Sequence, residues 1–124
     1  MPKLSNFTMN SDYPAIAKTG YNSVSVTMPS ITLAPGNSHT VTAEGTISSG
    51  DILSPIIQIG VGGGCFYGIG FRRASDTWLE EFWVERISPT KVRVNYYVLN
   101  QDWANYQTFS GGTIIFHLNA FRVP

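Results

Sequence analysis

The chain of 124 residues has a single cysteine, Cys65, so no internal disulfide can form and a core alone must hold the fold. It is poor in charge. Asp, Glu, Lys and Arg make up 13% of it, against roughly a quarter in an average globular protein. Eight basic side chains balance eight acidic ones, and Arg72-Arg73 is the only basic doublet. A nucleic-acid partner is therefore not expected, because phosphate binding needs a basic stripe. No apolar run approaches the roughly 20 residues that a membrane-spanning helix requires, so membrane insertion is not expected either. The first residues, MPKLSNFTMNSDYP, contain no apolar signal-peptide core, which predicts no signal peptide and synthesis in the cytoplasm. No segment sustains 3.6-residue periodicity between caps, which excludes a helical fold.

What is present is strand signal. Hydrophobic residues are 43% and aromatics 13%, enough for one buried core at this length. Residues 78–99, WLEEFWVERISPTKVRVNYYVL, read as a long hairpin turning at Ser88-Pro89-Thr90-Lys91. Placing Arg86 opposite Arg93 would set like charges face to face. We therefore expect Ser88 opposite Val92, Phe82 opposite Val98 and Val84 opposite Tyr96. Phe82, Val84, Val94, Tyr96 and Val98 then point inward. Trp83 and Tyr97 become a cross-strand pair on the outer face, with Glu85 diagonal to Arg93. An outward aromatic pair usually covers a second sheet, a subunit or a ligand.

Five further segments alternate or run apolar as strands do. Val24, Val26 and Met28 share one face of 23–28, and Ile31 and Leu33 continue after a kink at Pro29. After the Ala34-Pro35-Gly36-Asn37-Ser38 turn, Val41, Ala43, Gly45 and Ile47 of 39–47 face inward. Residues 55–61 and 66–71 are each short enough to be a core strand. In the last strand Ile114, Phe116, Leu118 and Ala120 alternate against Ile115, His117, Asn119 and Phe121. Residues 100–112 are expected to form the longest loop. The expected fold is an all-β antiparallel sandwich, jelly-roll-like, with seven or eight strands over 21–124. Residues 1–20 are expected to form an arm or an edge strand.

Several chemistries can be tested by spacing. The glycine-rich stretch 60–70 has no lysine, so it is no Walker loop. A dinucleotide fingerprint starting at Gly60 would need glycine where Cys65 sits. A nucleophile elbow around Cys65 would need glycine where Tyr67 sits. Cys65, His39 and His117 are too scattered to read as a metal site, and Cys65 reads as a small buried apolar residue. His39 is expected to face solvent, and His117 to lie on the outer face of the last strand, between subunits. Asn6-Phe7-Thr8 matches a glycosylation sequon, read as chance without a secretory signal. No catalytic residue, metal ligand or cofactor is expected. Glu81 and Glu85 flank Trp83 and read as a solvated face. The segment Asp102-Trp103-Ala104-Asn105-Tyr106 has the composition of carbohydrate sites, flat rings with amide and carboxylate partners, on a loop where binding residues gather. Trp103 is read first as a plug for the end of the core and second as a stacking ring. The ligand or interface candidates are thus Trp83, Tyr97, Trp103, Tyr106 and Asp102.

The segments Asn6-Phe7-Thr8, Ser11-Asp12-Tyr13-Pro14-Ala15, SVSVTMP and the final TIIFHLNAFRVP resemble small proteins of tailed bacteriophages and prophages. They also resemble the terminal β-domains of phage tail fibres. The resemblance implies a non-enzymatic virion component, of the tail or its host-attachment tip, made in the bacterial cytoplasm and located in the virion. Its partners would be further copies of itself in a trimer or dimer, other virion proteins and a cell-surface glycan. The alternative is a lectin-like carbohydrate-binding module.

Overall fold

A computed structural model describes residues 17–47, 52–59 and 65–122. Among these there is no helix, and ten strands follow one another: β1 (Ala17–Met28), β2 (Ile31–Leu33), β3 (Ser38–Thr46), β4 (Ile52–Ile59), β5 (Cys65–Tyr67), β6 (Gly70–Ala74), β7 (Trp78–Ser88), β8 (Lys91–Asn100), β9 (Gln107–Phe109) and β10 (Gly112–Arg122). They form two four-stranded antiparallel sheets, β1-β10-β4-β5 and β3-β8-β7-β6, with a β2-β9 ribbon. β1 pairs with β10 and β3 with β8, the nested pairing of a jelly roll. The inner strands depart from it, because β6, β7 and β8 are joined as consecutive hairpins.

The alternation carries the fold. Val24, Val26 and Met28 of β1 are buried, as are Ile114, Phe116, Leu118 and Ala120 of β10, and Val92, Val94, Tyr96 and Val98 of β8. Ile57 and Phe82 complete the layer between the sheets. Burying each of the Val, Leu, Ile, Met and Phe side chains among them contributes about 1.5–3 kcal/mol. At Gly45 the sheets come edge to edge: a Cβ there would lie 2.4 Å from Val24 Cγ2. The sequence expectation of an all-β antiparallel sandwich is what the chain forms.

The hairpin corrects one expectation and keeps another. The turn is at Pro89-Thr90, but Phe82 lies opposite Tyr96 and Val84 opposite Val94, two residues away from the expected register. The register shifts between Arg86 and Ser88, and this bulge at Ile87 absorbs an extra residue. An even offset leaves the inward face unchanged, so Phe82, Val94, Tyr96 and Val98 are buried as expected. On the outer face the partners change. Trp83 is opposite Asn95 and Tyr97 opposite Glu81, so the expected Trp83–Tyr97 pair does not form directly. Glu85 lies straight across from Arg93, not diagonal to it.

Two segments also differ from the sequence reading. Residues 66–71 are not one strand. At Gly68, φ is +123°, which a side chain rarely adopts, and the chain leaves one sheet for the other there. Within 100–112, residues 107–109 form β9 against β2. The strand expected near residues 6–9, the turn at 48–51 and the glycines at 60–64 lie outside the described residues, and β1 already begins at Ala17.

Candidate functional site

One end of the sandwich carries two loops tied together by side-chain hydrogen bonds. There β1 and β8 finish, β3 and β10 begin, and the β2-β9 ribbon joins the sheets. Leu33 and Phe109 of the ribbon are buried, and the Phe109 ring meets Trp78 edge-on at 5.2 Å. The turn 34–37 and the loop 101–106 emerge side by side from this end. In the turn, Asn37 N–H donates to the Ala34 carbonyl at 3.0 Å and Gly36 has φ +71°, as a type II turn requires.

Asn100 ties the two segments together. It is 0% exposed. Its Nδ2 donates to the carbonyls of Leu33 (3.0 Å), Ala34 (3.2 Å) and Asn105 (3.0 Å), while its Oδ1 accepts from Asp102 N–H at 2.9 Å. Its backbone adds bonds to Gly36 and Asn37. Asp102 then shapes the loop tip. Oδ1 accepts the Ala104 and Asn105 backbone N–H groups at 2.9 and 3.1 Å, and Oδ2 accepts Gln107 Nε2 at 2.8 Å and Asn105 Nδ2 at 3.2 Å. The Ala104 N–H, with Gln107 and Asn105, favours the carboxylate and holds its pKa down at about 2.

This scaffold presents two rings to solvent. Trp103 is 74% exposed and Tyr106 71% exposed. Trp103 therefore does not plug the core, as the sequence reading first had it: Trp78 and Phe109 fill that end. The six-membered ring of Trp103 rests on Gly36, where a Cβ would come within 2.5 Å of Cζ3. The glycine thus serves both the turn and the seat of the indole.

A second surface is the outer face of the β3-β8-β7-β6 sheet. Trp83 and Tyr97 are half-buried there within the chain itself. Trp83 Nε1 donates to Glu85 Oε1 at 2.8 Å, and Asn95 Nδ2 to the Trp83 carbonyl at 3.4 Å. Glu81 meets Arg72 at 3.5 Å, and Arg93 meets Glu85 at 3.8 Å and Glu44 at 4.0 Å. An open depression of about 310 Å³ lies beside Trp83, lined by Gly70, Phe71, Arg72, Glu81 and Phe82. The carboxylates flanking Trp83 are thus committed to cations and to the indole, and the ring offers less free area than Trp103.

The inner face of the same sheet holds a polar cluster. Glu80, 8% exposed, accepts the Tyr96 hydroxyl at 2.7 Å and the Arg73 guanidinium through two bonds of 2.6 and 3.0 Å. Arg73 also lies 5.6 Å from the centre of the Phe82 ring. Burial, then the Glu80 bond, raises the Tyr96 pKa far above the usual tyrosine range, and Glu80 raises that of Arg73. The cluster is satisfied internally and reads as structural.

Among the described residues no group of three or more His, Cys, Asp or Glu could hold a metal ion. His39 and His117 lie on different sheets. His39 is half-buried on the Val41 face of β3, not solvent-facing as expected, because it shares that strand's inward parity. His117 does lie on the outer face of its sheet. There Gln58 Oε1 accepts from Nε2 at 2.8 Å, leaving Nδ1 to accept the Tyr21 hydroxyl at 2.8 Å. No described helix is long and apolar enough to cross a membrane. No family model, curated protein or solved structure matches the chain.

Of the sequence candidates, Asp102, Trp103 and Tyr106 stand together on one loop, while Trp83 and Tyr97 stand on a sheet face. Asn100 was missed. Its signal was available: it continues the inward series Val92, Val94, Tyr96, Val98, and an asparagine at an inward position must satisfy its amide on backbone. Glu80 follows the same parity with Phe82.

Proposed function

We propose that this chain is a non-enzymatic attachment component of a phage or prophage virion, and that the 101–106 loop is its contact surface. The observation that carries the reading is the pairing of exposure with order. Trp103 and Tyr106 are more than two-thirds exposed, on a loop fixed by buried Asn100 and by both oxygens of Asp102. Leaving two aromatic rings in water has no stabilising role. Holding them in place lowers the ordering cost of binding, and Trp and Tyr dominate contact energies at interfaces. The resemblance to tail proteins supplies the setting. Self-association as a trimer or dimer belongs to the same proposal, supported by the low charge and by exposed Tyr21 and Ile69 on other surfaces.

The test is co-sedimentation of purified protein with a panel of intact bacteria. At least one strain should carry the protein down, and Trp103→Ala should release it while leaving the circular dichroism unchanged. Failure on every strain sinks the reading. Light scattering checks assembly, for which a clean monomer at high concentration is the contrary result. Virion genes flanking the coding sequence would support the phage setting.

A further inference from the structure

The chemistry around the two rings narrows the partner. The loop carries one charge, the Asp102 carboxylate, and both its oxygens are turned to amide donors of the loop and β9; no cation lies on the loop. What surrounds the rings is amide. Asn105 and Gln107 hold their nitrogens toward Asp102, which leaves their side-chain oxygens as acceptors, and Asn37 is exposed on the adjoining turn. The exposed large apolar side chains of the loop are these two rings alone. A protein partner would need a larger apolar centre ringed by polar groups. A polyanion would need cations. A flat ring with neutral amides at its margin matches a pyranose, whose C–H face stacks on an indole while its hydroxyls donate to amide oxygens.

We propose that the 101–106 loop binds a neutral carbohydrate, with Trp103 as the stacking platform and Tyr106, Asn105 and Gln107 as its margin. This rests on the attachment reading and names its ligand. Asp102 is then a positioning residue: it touches the loop and not the sugar. Gly36 sets the height of the indole.

The probe is a panel of neutral saccharides (glucose, galactose, mannose, N-acetylglucosamine and their short oligomers), with sialic acid as a charged control. Binding is followed through the indole N–H signals of the three tryptophans in nitrogen-edited NMR. The Trp103 signal, identified by its loss in Trp103→Ala, should shift saturably with at least one neutral sugar at roughly 0.1–10 mM, while those of Trp78 and Trp83 stay in place. Trp103→Ala should weaken that binding at least about tenfold. Asp102→Asn, which keeps an acceptor at Oδ1, should retain more binding than Asp102→Ala. Movement of the Trp83 signal alone, preference for sialic acid, or no shift across the panel overturns the proposal. The two readings fail separately. Trp103-dependent cell binding without any sugar response keeps attachment and removes the glycan. Sugar binding without cell binding does the reverse.

Discussion

Replacing Asn100 with alanine should be among the most damaging single changes outside the apolar core. Asn100 is fully buried, and its amide reaches three carbonyls, those of Leu33, Ala34 and Asn105. An NH₂ group has two hydrogens, so one of the three bonds is shared and the donor side amounts to two full bonds. The acceptance of Asp102 N–H by Oδ1 adds a third. At about 1 kcal/mol net for each bond, with more where a carbonyl is left dry, the loss comes to about 2–4 kcal/mol. A urea slope of about 2 kcal/mol per M converts this into a midpoint lowered by roughly 1–2 M. Asn100→Asp keeps the acceptor but points a carboxylate at three carbonyls, so it should be at least as harmful at neutral pH. Urea unfolding of both variants is the assay. If Asn100→Ala moved the midpoint by less than about 0.3 M with an unchanged slope, Asn100 would not be the tie between the two segments.

Other consequences are open to measurement. The Asp102 pKa lies below its unfolded value, so its contribution is fully present above about pH 4 and falls away as pH drops through about 2. The protection factors of the Ala104 and Asn105 amides, the intrinsic exchange rate at each pH divided by the observed one, should therefore be constant from neutral pH to about 4 and then fall; loss of protection near pH 6 would refute this. The Tyr96 pKa is raised, so its contribution is complete below about pH 10 and is lost as pH climbs above that. Alkaline absorbance titration should show one of the six tyrosines ionising only with unfolding. Gly45→Ala should lower thermal stability, by about 1–3 kcal/mol, because its Cβ would meet Val24 Cγ2 at 2.4 Å. A neutral result would mean that the two sheet edges are not held so close.

How much of this could be read from the sequence follows from what period-two alternation encodes. It encodes faces, so the cores of β1, β8 and β10 and the outward placement of Trp83 were legible. It does not encode offset by an even number. The two-residue turn at Pro89-Thr90 and the bulge at Ile87 each contribute one residue, so together they moved the partners of Trp78 to Arg86 by two positions and left those side chains on their faces. The division of 66–71 was hidden because glycine permits a positive φ without demanding one. The loop candidates were legible as composition. Whether Trp103 turned in or out was not, because that depends on Asn100 and Gly36 meeting from distant parts of the chain. Inward parity marked both Asn100 and Glu80, and a polar residue on a buried face is a readable sign of a tertiary tie.

Comparing Trp103→Ala with Trp83→Ala in cell co-sedimentation measures most directly where the protein makes contact. Trp103 is 74% exposed on the fixed loop, whereas Trp83 is half-buried and bonded to Glu85. Binding should be lost in Trp103→Ala and retained in Trp83→Ala, both folded by circular dichroism. Retention in Trp103→Ala with loss in Trp83→Ala would move the contact surface to the sheet face and contradict the assignment.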